Sequence, residues 1–467
     1  MDALEPIERQ PESKPSPSDA GRERKRKKVV SVRGEQPPRK KISWFYSLLP
    51  YNIALGPLGT FVQLYILHLY GVELGKIYVG LAVTAFNAVT IPASMIWGFA
   101  TDRFHRRKPI IVISFFALGA NLVAFLFVQD IIGIGVLYAI FALLSSASAT
   151  PLNLLIMESE PKPRWASAFA KFSMVSSTGV TVGLLLSLGW VTFLPFEWLV
   201  VPLAILSLAS GILALILIKE PSFVFERDMI VLQKRSFFER ILQVPMIFLR
   251  IPRAADFWRI FKGMRHELTS SVPVLYISIF AFYIGSGVFN TSLVPALYAN
   301  SLSESQVFLV TLVANVVQIF GFRYVGPYIE RRSLVKSAIA GLVVRSTCYS
   351  LFGISAFLVS GVLFIVPALI FYPIASGIAF AIYYTASNTM IFNSLGHRSQ
   401  GSALGVYSAL VGVATMIGSL ISGFTSFYFG FYVTFMLAAF CLVCSALLTS
   451  SLRNLGGGGG RKSPAGL

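Results

Sequence analysis

The chain has 467 residues, of which 55% are hydrophobic and only 13% are Asp, Glu, Lys or Arg, with a mean hydropathy of +0.71. An average soluble domain carries about a quarter charged residues, so a compact body of this composition would expose more apolar surface than water tolerates, and a lipid bilayer is the expected solvent. The net charge of +18, from 39 Lys and Arg against 21 Asp and Glu, keeps nucleic acid in view only until those charges are located along the chain.

Residues 1 to 43 hold 12 Lys or Arg, seven Asp or Glu and many Pro and Ser, with no apolar run long enough for a signal peptide. They are expected to form a disordered, basic cytoplasmic tail. Twelve apolar runs long enough to cross about 30 Å of hydrocarbon follow. In the first half, 44 to 218, they lie at 46 to 70, 77 to 99, 109 to 129, 131 to 157, 166 to 189 and 195 to 218. In the second, 273 to 452, they lie at 273 to 298, 305 to 327, 334 to 358, 366 to 392, 401 to 424 and 427 to 450. Pro57, Pro151, Pro295 and Pro373 fall inside these runs, where neighbouring helices can re-satisfy freed backbone groups. The connection 219 to 272 carries ten Lys or Arg among apolar clusters such as Phe257, Trp258, Ile260 and Phe261, as expected of amphipathic helices on the lipid surface. The stretch 453 to 467, with Gly456 to Gly460 and then Arg461 and Lys462, reads as a flexible tail. The fold expected is therefore an all-α membrane protein of two six-helix bundles.

Short loops rich in Lys and Arg stay in the cytoplasm. With both termini inside, 37 of the 39 basic residues fall on inner segments, the exceptions being Lys76 in the first outer turn and Arg345 within a span. A missed or invented helix would invert every later loop, so this partition supports the count and predicts a multi-pass protein of the cell membrane. It also removes the reason to invoke nucleic acid. Cys348, Cys441 and Cys444 lie in apolar runs, and His68, His105, His266 and His397 are scattered, so neither a disulfide framework, a metal site nor a catalytic cluster is expected. No phosphate-binding glycine loop for ATP is present, which argues against a primary pump; no enzyme activity and no cofactor are expected.

The halves echo each other. Gly98, Asp102, Arg103, Arg106 and Arg107 follow the second span, and Gly326, Glu330, Arg331 and Arg332 follow the eighth, each with Gly four residues before an acid and Arg directly after it. Ser167, Ser173, Gly183 and Ser187 correspond to Ser402, Ser408, Gly418 and Ser422 at one constant offset. A glycine lets helices approach closely, Asp102 can reach donors at a helix N-terminus, and Arg106 and Arg107 can bind carboxylates or terminal carbonyls. Such contacts make an inner latch, closed in one state and released in another; the plain alternative is that these arginines only set topology.

This arrangement resembles the major facilitator superfamily, whose signature between helices two and three runs Gly, two or three small or apolar residues, Asp-Arg, one residue, Gly, then two basic residues. The departures are His105, where the family favours Gly, and Ala100, where it favours Leu. The resemblance covers about 44 to 452 and implies two bundles about an axis along the membrane normal, with a cavity between them that opens to each side in turn by rocking of one bundle against the other. The implied function is a permease, a secondary transporter with no enzymatic step; a non-transporting receptor, scaffold or lipid-handling protein on the same framework is the alternative.

On the helices that line the cavity in that family, the polar residues here are nearly all neutral: Asn52, Gln63, Asn87, Asn290, Asn315, Gln318, Tyr383, Tyr384 and Asn388. Mid-span amides need partners, either across helices or in a cavity. Lined this way, a cavity suits a small organic solute that is neutral or amphipathic, with lipid as the other partner and a monomer as the assembly. No acid lies in the middle third of any span, and the motif that proton-driven drug antiporters of the family carry on the fourth helix keeps Leu137 but has Phe141, Leu144 and Ser145 elsewhere. Facilitated diffusion and coupling through Glu158 or another end carboxylate both stay open. Arg345 is the one deep charge, roughly 20 Å from Arg332 along a helix. It is either tied to helix carbonyls or anchors an anionic group of the substrate.

Overall fold

The computed structural model describes residues 44–104, 108–159, 165–218, 271–330, 332–394 and 400–456. The first predicted tail, most of the middle connection and the residues around His105 lie outside these; of the predicted tail 453 to 467, residues 453–456 instead continue the last helix and the remainder lies outside. No strand occurs among the described residues. In lipid an unpaired backbone N–H or C=O has no water to turn to, so the chain satisfies its backbone within helices.

After a 3-10 turn at Trp44–Ser47, the helices in the first half are α1 (Leu48–Leu55), α2 (Leu58–Phe104), α3 (Lys108–Ala124), α4 (Ile131–Ser159), α5 (Trp165–Phe193) and α6 (Val200–Leu217). The second half contains α7 (Ser271–Ala299), α8 (Glu304–Glu330), α9 (Leu334–Leu358), α10 (Ile365–Pro373), α11 (Phe380–Ser394), α12 (Gln400–Tyr428) and α13 (Gly430–Gly456). Between α10 and α11 the chain makes a π-helical turn, Ile374–Ala379.

Eleven stretches of the described residues are long and apolar enough to cross a membrane. The first, Leu48–Ser94, is 47 residues long, and at about 1.5 Å per residue it would reach about 70 Å, more than twice the hydrocarbon thickness. It covers most of the first two predicted spans, parted at Gly71, whose φ of 70° and ψ of 176° are not helical. A side chain is strained at that φ, so a glycine stands at the turn. Two of the prolines shape their spans without ending them. At Pro57, α1 stops at Leu55 and α2 resumes at Leu58, because a proline has no N–H to donate to the preceding turn, yet both pieces belong to the one apolar stretch Leu48–Ser94. Pro373 ends α10, and the wide turn Ile374–Ala379 takes up the mismatch before helix resumes at Phe380.

Loop chemistry sets several ends. Asp130 Oδ2 accepts the Gly133 N–H at 2.7 Å at the start of α4. At the start of α8, the Ser303 N–H donates to Gln306 Oε1 at 2.9 Å and Ser303 Oγ accepts the Gln306 N–H at 3.4 Å, a reciprocal capping box.

Within each half, two helices meet where side chains are missing. A Cβ on Gly56 would lie 2.7 Å from the Val180 carbonyl oxygen, and one on Gly183 would collide with the Ile53 carbonyl, so α1 and α5 touch backbone to backbone. A Cβ on Gly287 would lie 2.9 Å from the Thr415 carbonyl oxygen, and one on Gly418 would collide with the Ile284 carbonyl. Ile284 and Gly287 stand 231 residues after Ile53 and Gly56, while Thr415 and Gly418 stand 235 after Val180 and Gly183. The repeated residues thus make the same contact twice. Ser422 Oγ adds bonds to Ser292 Oγ at 2.5 Å and to the Val288 carbonyl at 2.7 Å. Large apolar side chains such as Phe127 and Phe193 stand more than four-fifths exposed, which lipid favours and water would not.

Replacing Gly418 by Leu overpacks α7 against α12, at a cost of about 1–3 kcal/mol, and should lower the apparent melting temperature in detergent by several degrees. Gly135→Leu is the control, since a Cβ there meets nothing within 4 Å; equal losses at the two positions would contradict the close-packing account.

Candidate functional site

The halves adjoin where α12 runs along the part of α2 that follows Gly71, where α8 runs along α5, and where α7 meets α2. Small residues make the first of these seams. A Cβ on Gly80 would lie 2.6 Å from the Gly423 Cα, and one on Gly412 would meet the Ile91 side chain. Without a hydrophobic force between helices in lipid, such close packing and interhelical hydrogen bonds hold the seam. Midway along it, Asn87 Nδ2 donates to Ser419 Oγ at 3.3 Å and Asn87 Oδ1 accepts from Thr415 Oγ1 at 3.5 Å. Ser419 Oγ also accepts from Thr291 Oγ1 on α7 at 3.1 Å. A polar chain therefore joins α2 to α12 and α7 across the two halves.

Lys76, the basic residue on the unexpected side, closes the same seam at its expected outer end. Its Nζ donates to both carboxylate oxygens of Glu73 at 3.0 Å and sits 5.2 Å from the centroid of the Phe431 ring on α13, in the other half. The Lys76 side chain is 10% exposed and that of Glu73 74%. Neutralised by Glu73 and buried against a ring, Lys76 is a packing cation, which accounts for its exception to the charge bias.

A second polar centre lies wholly in the second half. Arg345 on α9 is 2% exposed. Its Nε donates to the Tyr349 hydroxyl at 2.9 Å, and its guanidinium carbon lies 4.9 Å from the Phe282 ring, 5.1 Å from Phe380 and 5.3 Å from Tyr349. Tyr383 stacks on Phe282 with centroids 4.0 Å apart, and Tyr384, 38% exposed, lies 5.3 Å from Phe380. Among the described residues no carboxylate lies within 4 Å of the guanidinium; the basic–acidic contacts found elsewhere among them are the Lys76–Glu73 ion pair and His68 Nε2 at 3.4 Å from Glu197 Oε1.

Of the residues expected to line a cavity, the structure brings Arg345, Tyr383 and Tyr384 together around Phe282 and Phe380, and sets Asn87 in the seam. Asn315 Nδ2 donates to the Thr311 carbonyl of its own helix at 3.0 Å. Gln63 is half-buried with its Oε1 unbonded, Gln318 packs its backbone N against Gly377, and Asn290 is exposed. No hydrogen bond among the described residues links Gln63, Asn290 or Gln318 to either centre. Asn52 is structural, bridging the Leu48 carbonyl and Ser176 Oγ at 2.8 Å each. Gly98, Asp102 and Arg103 lie on the last turns of α2, and Gly326 and Glu330 on the last turns of α8. The side chains of Asp102, Arg103 and Glu330, and all of Arg106, Arg107 and Arg331, lie outside the described residues; Arg332 is exposed just after α8. Sequence reasoning missed Gly80, Thr415, Ser419, Gly423 and Phe431. The spacing Thr415, Ser419, Gly423, one small residue per turn, is the signal that points to the seam.

Lys76→Met should loosen the outer end of the seam. Impermeant maleimide should then label a cysteine placed at Thr84, one turn inward of Gly80 and otherwise cysteine-free, about two- to tenfold faster, as losing a cation–π contact implies. Lys76→Arg, which keeps a cation over Phe431, should label at the parent rate; unchanged labelling in Lys76→Met would show that the contact holds nothing.

Solved structures with the same fold confirm the architecture but not the cargo, because their sequences are remote. A POT family transporter in complex with 5-aminolevulinic acid aligns with a TM-score of 0.64 at 12% identity, covering 90% of this chain and 98% of that one. The nucleoside transporter NupG gives 0.59 at 13%, covering 87% and 99%. The human organic anion transporter MFSD10 (TETRAN) gives 0.55 at 15%, covering 89% and 100%. No curated protein sequence matches the chain. The sequence model of the Major Facilitator Superfamily matches residues 47–264 and 275–463, one stretch for each half, and the chain is a multi-pass membrane protein of that superfamily.

Proposed function

We propose that the protein is a secondary transporter that carries a small organic solute, neutral or amphipathic, by rocking its two halves about the α2–α12 and α5–α8 seams. The observation that carries this reading is the construction of the α2–α12 seam: paired glycines and a single cation–π contact at one end, neutral hydroxyls and an amide in the middle. Such a seam is tight yet contains no interhalf ion pair among the described residues, so it can part without stranding two charges in lipid. The exposed amide of Asn290 supports an aqueous space on α7, since an amide facing hydrocarbon in mid-span is costly. Nucleosides, 5-aminolevulinic acid and organic anions, named for the similar structures, are all small organic solutes of the kind proposed.

In this reading both termini are cytoplasmic and the protein works as a monomer among lipids in the cell membrane. Asp102, Arg103, Arg106 and Arg107, with Glu330, Arg331 and Arg332, form the inner latch that engages when the Lys76 end opens. Gln63, Asn290, Asn315 and Gln318 face the solute path.

Purified protein in liposomes should show counterflow of at least one labelled member of a panel of sugars, nucleosides, amino acids and aromatic acids. Cysteines replacing Lys76 and Phe431, with Cys348, Cys441 and Cys444 changed to Ala, should allow a short bifunctional thiol reagent to stop that flux by at least tenfold, and reduction should restore it. Flux that survives full cross-linking would overturn the rocking mechanism, and a panel that yields no counterflow would overturn transport.

A further inference from the structure

We propose that the Arg345 centre is a monoanion site, and that the solute is amphipathic with a carboxylate head and an aromatic or apolar body. This rests on the transport reading, because it takes the anion to be the head of the carried solute. Arg345 Nη1 is buried and has no hydrogen-bond partner among the described residues. A guanidinium has five N–H donors and cannot lose its charge, and a buried cation left without a counter-charge is costly in a membrane. The rings of Phe282, Phe380 and Tyr349 offset part of that cost through the faces of the guanidinium. At its edge the Tyr349 hydroxyl takes the Nε–H, but the N–H groups of Nη1 stay unbonded, and a carboxylate is the acceptor that would satisfy them and balance the charge.

The surroundings define the rest of the ligand. The Tyr383 hydroxyl is buried beside Ser278 and Ser445, and its ring shares Phe282 with Arg345. Phe380 touches both Arg345, at 5.1 Å, and the partly exposed Tyr384, at 5.3 Å, so an aromatic path runs from an accessible ring to the buried cation. Across it, the hydroxyls of Tyr283 and Tyr407 meet at 3.2 Å. The helix that carries Phe380, Tyr383 and Tyr384 starts directly after the π-helical turn Ile374–Ala379, a local widening that lets side chains shift in register and recurs at functional sites. With one cation and no described carboxylate within 4 Å, a single negative charge gives neutrality and a second would be stranded.

Benzoate and its uncharged analogue benzamide separate these requirements, with acetate and chloride at equal ionic strength testing the apolar body and the bare ion. For the full chain in detergent, benzoate should raise the apparent melting temperature in a saturable way, since a ligand of the folded state stabilises it; benzamide and chloride should not, and acetate should bind at least tenfold more weakly. Arg345→Gln should weaken benzoate at least tenfold while keeping the helical circular dichroism of the parent. Should that variant fail to fold, Phe380→Leu, which removes a ring and leaves the charge, should weaken benzoate at least threefold relative to acetate. Equal shifts with benzoate and benzamide, a benzoate shift that survives Arg345→Gln, or unchanged selectivity in Phe380→Leu would overturn the proposal. Binding is read without flux, so a protein that binds benzoate through Arg345 and carries nothing would refute transport alone, and one that shows counterflow but ignores benzoate would refute this site alone.

Discussion

Close approach of backbones at glycine is the constraint on which the rest of this molecule depends. In lipid, apolar side chains gain little by leaving their surroundings for one another, so helices associate through dense packing and hydrogen bonds. The pairs Gly56 with Val180, Gly183 with Ile53, Gly287 with Thr415 and Gly418 with Ile284 build the two halves on one plan. Gly80 with Gly423 then joins them. Inside a half the contact is doubled and reinforced by serine, as at Ser422 with Ser292 and Val288. Between halves it is single at the end and bridged by amide and hydroxyl groups in the middle. That difference in strength is what the proposed rocking of one half against the other requires.

Two cations that break the charge distribution are handled in different ways. Lys76 has an acid three residues before it and a ring across the seam, so its charge is balanced where it stands. Arg345 has rings and one tyrosine hydroxyl but no acid within reach among the described residues. The first belongs to closure of the protein on itself. The second leaves a charge for something else to balance, and the absence of a mid-span acid, visible in the sequence, is what makes that demand specific.

Much of the architecture was legible beforehand because hydropathy and basic loops act along the chain. The twelve runs, the divide near the middle connection and the repeat around Gly183 and Gly418 all depend on residue type and spacing alone. The break at Gly56 and Pro57 was not legible, since the same kind of residue, Pro151 or Pro295, sits inside continuous helix elsewhere. The candidate site was legible only as an inventory. Asn87 and Asn315 read alike in sequence and each donates to the carbonyl four residues before it, yet Asn87 also bonds across the halves. That choice is made by which helix lies alongside, and Phe431 as the partner of Lys76 is beyond any local rule for the same reason.

The central claim is that two rigid halves exchange access between the ends of the seam. Paired spin labels in a cysteine-free background test it most directly. One pair sits at the exposed positions Leu74 and Tyr428, at the Lys76 end, and another at Met174 on α5 and Tyr324 on α8, toward the opposite end. Measured in liposomes by pulsed electron spin resonance, each pair should show two distance populations. A solute that stabilises the protein should shift the two pairs in opposite senses, one shortening as the other lengthens. A single distance at both pairs, unmoved by any such solute, would contradict the account.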